Sequence, residues 1–456
     1  MTRIELAGVC VGEFEEVKKS VEEKGVLVRE LKAYDYSKSL YLLASKEAVG
    51  VSELTDRLNG VVLEKGTNNV VAECVDVLYE DLEVEKFNEL LIKGYREKET
   101  NDEGEQVYSD DTNEYRVEYA EDGTMIRLYN YKGEWHTATT KCIDARNSYW
   151  VTDKYSFDEM FYDAVEKETV EKLDKSFTYC FVLKHPLNRL VIKHEKAEVV
   201  FVSKIRNKDG KETLELDLEN VGEEELSKVV SRAKVLPEIV EDSYLVTSNW
   251  ADSMDEETRT MSIQTSTRTN TSWTREELNN LLKTQDGTVK GILFVKLDSE
   301  TGRYKRVLYE SELYKELKEI KGNTPNVEKR WIELYKEDKR AELLKFESVY
   351  REYSEKFRDL ESRFERVTRE IFREYIKTHV YREYRLDETS NYYKSVKRVH
   401  GAYMRTKTDD NPKGTPMTQE RVSEIVKDFK VHVITKLMGL EQRPNKEKRI
   451  QKRSRE

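Results

Sequence analysis

What most limits how this chain can fold is a change of character near Val327. Up to about Leu317, short runs of apolar–polar alternation are broken by glycine, asparagine and aspartate. Beyond Val327, glycine and strand-type alternation nearly vanish, and Tyr350, Tyr353, Phe357, Leu360, Phe364, Val367, Ile371 and Tyr375 recur at steps of three and four. A period of two builds half-buried strands, whereas steps of three and four line up one stripe of a helix. The sequence therefore predicts an α+β, largely antiparallel core followed by an all-α C-terminal domain. The boundaries read as an N-terminal α/β part at 1–95, the main part of the core at 96–326, helices at 327–440 and a basic tail at 441–456.

Turn chemistry locates the strands. Residues 60–64 and 70–74 read as a hairpin across Lys65-Gly-Thr-Asn-Asn69, and residues 116–120, 124–131 and 134–140 as strands joined at Asp122-Gly123 and Lys132-Gly133. Further strands are expected at 178–183, 190–193, 198–205, 213–216 and 291–297. Helices are expected at 223–233 and, behind a capping box of Thr274 and Glu277, at 275–283. The polar stretch 97–114 reads as an exposed, mobile insertion. In the C-terminal part the aromatic seam predicts one long helix. A second carries Tyr393, Val396, Val399, His400 and Tyr403, and a third runs over 418–438 to a stop at Gly439. So many bulky rings on one seam suit packing within the chain, although the same steps fit a homodimer through a helix at 341–385. His400 on its apolar face reads as a core histidine.

A chain of 456 residues is too long for one compact core of ordinary size. No run approaches the roughly 20 apolar residues of a membrane span, and the first residues lack the order of a secretory signal, so the reading is an intracellular, cytoplasmic protein with no membrane partner. Cys10, Cys74, Cys142 and Cys180 are far apart and the six histidines do not cluster, which argues against a metal site or a disulfide framework. A net charge of −11 argues against indiscriminate coating of nucleic acid while leaving room for a local basic groove. Arg443, Lys446, Lys448, Arg449, Lys452, Arg453 and Arg455 crowd the C-terminus, where a short charge run reads as a solvated, disordered tail.

Against this frame, Tyr119-Ala-Glu-Asp-Gly-Thr-Met-Ile-Arg127 carries chemical information. It resembles the Lys-x-Asp-Gly motif of covalent nucleotidyltransferases, the RNA-ligase branch in particular, and among these the RNA-ligase-like proteins of large DNA viruses. Ala120 stands where the motif's lysine attacks the α-phosphate of ATP or GTP. Other blocks follow in order: Asn59-Gly-Val-Val-Leu-Glu64, where the family's arginine is replaced by Asn59 or shifted to Arg57; Thr139-Thr-Lys141; and Phe177 to Val191 with Pro186 and Asn188-Arg189, in which a family glutamate falls on Val182. The Glu-Gly block aligns at Val289-Lys-Gly-Ile-Leu-Phe294 with Lys290 at the glutamate; a shifted register would use Asp286. A last block offers Lys305 and Arg306, although alignment from Tyr314 and Lys321-Gly-Asn-Thr-Pro-Asn326 places Leu308 where a lysine belongs.

The resemblance implies the antiparallel adenylation fold of RNA ligases over 96–326, with ATP and Mg²⁺ as cofactors if the chain is active, RNA as partner, and substrate selection by the helical domain. It also implies a cleft whose nucleotide or RNA contacts come from Arg127, Lys141, Tyr179, Arg189, Lys290, Lys305 and Arg306, with Trp135 as a further ring for stacking. The motif turn is Ala120, Asp122 and Gly123, and Lys132 or Lys141 are the substitutes for the missing amine. Three readings stay open: a protein that binds RNA ends or nucleotide with a degenerate catalytic site, an active ATP-dependent RNA ligase with a relocated lysine, and a structural or virion protein on the same fold.

Overall fold

The computed structural model describes residues 14–31, 39–45, 58–76, 78–79, 98–100, 106–108, 116–150, 155–216, 230–232, 275–283, 289–298, 301–322, 324 and 326–440. The chain divides into two compact units, 1–315 and 316–456.

The first unit opens with helix α1 (Phe14–Glu23) and strands β1 (Val26–Arg29), β2 (Leu40–Ser45), β3 (Val62–Glu64) and β4 (Val70–Ala72), which form an antiparallel sheet in that order. The predicted hairpin is β3–β4. Asn68 and Gly66 in its turn both take positive φ, the region asparagine and glycine enter at least cost. Next come β5 (Leu78–Tyr79) and a small hairpin, β6 (Lys98–Thr100) with β7 (Gln106–Tyr108), which is the described part of the expected insertion. Then follow β8 (Arg116–Ala120), β9 (Thr124–Tyr131) and β10 (Glu134–Thr139), two short helices α2 (Phe157–Tyr162) and α3 (Lys167–Glu171), β11 (Phe177–Lys184), β12 (Glu198–Arg206), β13 (Glu212–Thr213) and β14 (Val230–Arg232). The unit ends with α4 (Arg275–Lys283), β15 (Gly291–Asp298), β16 (Arg303–Glu310) and the start of α5 (Glu312–Lys321).

Two sheets carry the motif blocks. One is ordered β10-β9-β11-β12-β13 with β14 parallel to β12, and the other β5-β16-β15-β8 with β5 parallel to β16. Strands β8 and β9 belong to different sheets, so Asp122-Gly123 does not close a hairpin; it carries the chain from one sheet to the other. Helices α2 and α3 cover one face of the first of these sheets, with Phe161, Tyr179, Phe181 and Phe201 in the core between them. Helix α4 covers the outer face of the second through Leu278, Ile292, Phe294 and Tyr309.

Expectations failed where local hydrogen bonds took over. Residues 190–193 are not a strand, because the Val191 and Ile192 amides donate to the Asp122 carboxylate instead of to a neighbouring strand. At 213–216 only Glu212–Thr213 pairs. The helix expected at 223–233 is contradicted at 230–232, which pair with β12; the rest of it, Arg57, Thr274, Asp286 and the tail from 441 lie outside the described residues.

The second unit is helical: α6 (Val327–Lys336), α7 (Arg340–Val349), α8 (Ser354–Tyr375) running into a π-helical turn at Ile376–Val380, α9 (Tyr393–Met404), α10 (Gln419–Lys427) and α11 (Val431–Leu437). The long seam helix is broken at Tyr350, where φ −110° and ψ 45° lead into a 3₁₀ turn at 351–353. The third helix is two, separated at Asp428–Lys430 by the buried Phe429. Phe357, Leu360, Phe364, Val367, Ile371 and Tyr375 are buried against Trp331, Val396, Val399, Val422 and Val426 of the same unit, so this seam is filled within the chain and is not an open dimer face. No helix among the described residues is long and apolar enough to cross a membrane.

Candidate functional site

Register fixes what faces Ala120. It pairs with Gly291 of β15, and Gly291 pairs with Glu310 of β16, so the three form one row across the sheet. Because paired residues share a face, the Ala120 methyl and the Glu310 carboxylate lie on the face opposite α4, with only a glycine between them. Gly291 is required there: a Cβ would fall 2.0 Å from the Tyr309 carbonyl oxygen. The next row is Glu118, Leu293 and Leu308, and beyond it Arg116, Val295 and Arg306.

The turn after Ala120 is clamped on several sides. Asp122 is 1% exposed, and its carboxylate accepts from the Val191 and Ile192 amides at 2.9 and 2.8 Å and from the Tyr314 hydroxyl at 2.7 Å. Asn188, fully buried, donates to the Leu183 carbonyl at 3.2 Å and accepts from the Thr124 hydroxyl at 3.1 Å. Gly123 lies so close to β11 that a Cβ would meet the Leu183 carbonyl oxygen at 2.5 Å. His194 is buried beside Asp122; burial pushes its imidazole below the ordinary value, against the pull of the Asp122 charge.

Two lysines flank this turn. Lys184 at the end of β11 bridges Glu121 at 2.8 Å and Glu198 at 3.4 Å; burial pulls its ammonium pKa down, but the two carboxylates outweigh that and raise it. Lys290 donates its amide to the Ala120 carbonyl at 2.8 Å, and its ammonium lies 3.6 Å from Glu310 and over the Tyr314 ring at 5.8 Å. Glu118, on the Ala120 face, is raised by burial although Arg116 and Arg306 oppose the shift. The carboxylates around the turn are thus committed, Asp122 to three donors, Glu121 to Lys184 and Glu310 to Lys290. Such a donor set does not fit a divalent ion, and among the described residues no group of three His, Cys, Asp or Glu side chains is placed to hold a metal.

The other sequence-chosen residues scatter. Arg127 is fully buried, with its guanidinium donating to the carbonyls of Gly60, Glu73 (3.3 Å) and Thr139 (2.7 Å). Tyr179 is fully buried in the core under α2 and α3, with Trp135 edge-on to it at 6.1 Å. Arg306 is buried and binds Glu212 at 2.8 Å. Arg303 joins the same network, reaching Asp76 at 3.0 Å and the carbonyls of Gly210 (3.0 Å) and Cys74. Burial pushes the Glu212 carboxyl up, but Arg306 and Arg303 hold it down to about 2. Lys305 is exposed and paired with Asp298 at 2.9 Å on the α4 face. Arg189 donates to the Val191 carbonyl at 3.1 Å beside the clamp loop. Lys141 is exposed past the end of β10, its carbonyl held by Arg29 at 3.1 Å. Lys132 sits in the β9–β10 turn, at the far end of an eight-residue strand from Gly123, roughly 30 Å away at about 3.3 Å per residue.

Of the predicted contacts, then, Lys290 lies directly at the motif turn and Arg189 beside the loop that clamps it. Sequence reasoning missed Lys184, Glu121, Glu310 and His194. Glu121 occupies the motif's variable position and Lys184 lies inside a matched block, so both were within reach.

No family model matches the chain, and no curated protein matches it. Its structural neighbours are ATP-dependent DNA and RNA ligases. They include a putative ATP-dependent DNA ligase from Aquifex aeolicus at 13% identity and a TM-score of 0.39, with 74% of this chain and 72% of that one covered. An archaeal ATP-dependent RNA ligase aligns at 10% identity and a TM-score of 0.37, covering 74% and 68%. An RNA ligase of Naegleria gruberi aligns at 9% identity and a TM-score of 0.31, covering 67% and 83%. These are distant likenesses.

Proposed function

We propose that the chain is a ligase-type nucleotidyltransferase relative whose motif turn binds a nucleotide or an RNA end without becoming covalently charged. The observation that carries this reading is the row Ala120, Gly291, Glu310. Where the resembling motif presents an amine, this chain has a methyl group, and the partner across the row is a buried carboxylate already paired with Lys290. A methyl group forms no phosphoramidate, and losing a covalent nucleophile leaves only what positioning and charge supply. Positioning survives in the clamp on Asp122, and charge in Lys184 and Lys290 on either side of the turn. Their ion pairs hold both ammonium groups in place, and phosphate oxygens would compete with the carboxylates for them.

One observation favours a second reading, an active ligase with a relocated lysine. Lys290 is bonded through its own backbone to Ala120, so an amine lies one strand from the motif position, much closer than Lys132. The full-length protein incubated with Mg²⁺ and α-³²P-labelled ATP or GTP separates the readings. No acid-labile label, together with salt-sensitive binding of a 5′-phosphorylated RNA that weakens in Lys290→Ala, is the expected result. Label on the wild-type chain that disappears in Lys290→Ala would establish the relocated nucleophile. Neither label nor binding would leave a structural role.

A further inference from the structure

The end of the helical unit carries exposed rings interleaved with arginines, a pattern the motif turn does not use. Of the eight large hydrophobic side chains exposed among the described residues, Val380, Tyr381, Tyr384 and Met404 lie within one stretch of 25 positions. Residues 372–388 carry four lysines and arginines and four carboxylates, and the α9 segment 394–407 behind them carries five lysines and arginines and no carboxylate, in a chain whose net charge is −11. Exposed apolar rings cost solubility, and a basic enclave in an acidic protein concentrates anions, so the two features together point to a ligand with flat apolar faces and negative charge.

The backbone holds these groups in place. The α8 helix ends in the π-helical turn, where the Tyr381 amide donates to the Ile376 carbonyl at 2.9 Å. Arg382 then takes a positive φ of 56°, and the Glu383 amide reaches the Lys377 carbonyl at 2.9 Å, so the chain doubles back along the helix it has just left. Tyr384 is brought over the last turn of α8, its hydroxyl donating to Glu374, which Arg373 also approaches at 3.9 Å. Behind the turn, Tyr375, His379 and His400 pack as a stack, His379 against His400 at 4.2 Å, tying it to α9. Tyr381 and Tyr384 are therefore exposed on a braced loop, with Arg382, Arg385 and Arg373 exposed around them.

We infer that this loop is a docking surface for single-stranded nucleic acid, with Tyr381 and Tyr384 stacking on bases and Arg373, Arg382 and Arg385 holding phosphates. Bases offer the flat faces and the backbone the charge, and stacking tolerates any base. Rings and phosphates are common to both sugars, so ribo- and deoxyribo-oligomers bind comparably. The proposal extends the nucleic-acid reading of the motif turn but uses other residues and does not need a strand end.

A circular single-stranded oligonucleotide, which has no ends, isolates this surface. Fluorescence anisotropy of the full-length protein with a labelled circular 20-mer is expected to show salt-sensitive binding for RNA and DNA circles within about threefold of each other. Tyr381→Ala with Tyr384→Ala weakens it at least tenfold, given stacking on two rings. Arg382→Ser with Arg385→Ser lowers the slope of log affinity against log salt by about 1.4, at about 0.7 per phosphate contact. All four side chains are exposed, so unchanged far-ultraviolet circular dichroism and melting temperature are expected and verify the fold. Absence of circle binding overturns the proposal, as does undiminished binding in the tyrosine variant. Displacement of the circle by polyglutamate as readily as by unlabelled oligonucleotide also overturns it, in favour of an acidic protein partner. Failure of the motif-turn reading would instead show as loss of 5′-phosphate-dependent binding with circle binding intact.

Discussion

The two units reach stability by opposite means. In the helical unit the buried polar side chains among the described residues are Thr368, Ser395 and Thr435, and the interior is otherwise a packed seam of rings and aliphatics. The first unit buries Glu73, Glu118, Asp122, Arg127, Glu212, Arg303, Arg306 and Glu310. Apolar packing is forgiving, since a smaller side chain leaves a cavity that neighbours partly fill, whereas a buried charge that loses its partner cannot be repaired by relaxation. The charged interior of the first unit ties together strands from three sheets: Arg303 and Arg306 on β16, Glu212 on β13 with the Gly210 carbonyl before it, and the Cys74 carbonyl after β4. It fixes which strands meet.

The contrast predicts a ranked set of responses. The largest is for Glu212→Ala, which leaves Arg306 in the interior without its carboxylate and takes one of three from around Arg303, and is expected to cost about 3–5 kcal/mol. Hydrogen exchange read by mass spectrometry should show protection lost over 198–216 and 303–310, while α8 stays protected. Leu360→Ala, its counterpart in the helical seam, is expected to cost about 3 kcal/mol, with the loss of protection confined to 327–440. If Glu212→Ala were no worse than Leu360→Ala, the distinction between the two interiors would fail. Gly123→Ala should cost about 1–3 kcal/mol, because its methyl meets a backbone oxygen at 2.5 Å that cannot swing aside; a melting temperature equal to wild type would sink the close-packed turn.

The smallest effect is on pH dependence, where a buried, ion-paired carboxylate sets the first unit apart. His379 and His400 have lowered pKa values through burial, so the stability of the helical unit is full above pH 6.5 and falls as pH drops below it. His136 and His194 give the first unit the same step, again through burial. Glu212 adds another: with its pKa held down to about 2 against an ordinary 4.5, its contribution is present above pH 4.5 and lost as pH falls towards 2. Acid titration followed by peptide-resolved exchange should show protection over 198–216 falling in a further stage below pH 4.5, beyond the histidine stage that both units share.

The same contrast explains what could be read from sequence. Binary pattern and turn chemistry located β3 to β4, β8 to β12, α4, α9 and the seam of α8, where an apolar period or a turn residue marks the element. The pattern misread Arg127, since β9 is covered on both faces: Ile126 and Leu128 enter one core while Tyr129 and Tyr131 enter another, and the arginine between them is interior as well. Helix α2 escaped although Ser156 and Glu159 form a capping box, because six residues are too few to show a period. The breaks at Tyr350 and Asp428–Lys430 carry no glycine or proline and are set by packing. At the motif turn, the meaning of Asp-Gly was legible but its surroundings were not. Lys184, Glu310 and Tyr314 reach it from distant segments, through pairings no local pattern encodes.

The π-helical turn at Ile376–Val380 has a consequence for winding. Its Ile376-to-Tyr381 bond closes a ring one residue larger than an α-turn, so everything after it is rotated out of phase with the stripe that ends at Tyr375. Continued in α-helical phase, that stripe would take Thr378 or His379 and then Arg382 inward as its next members. Val380 and Tyr381 are displayed just where the buried seam stops, so a surface begins with the same kind of side chain that fills the interior.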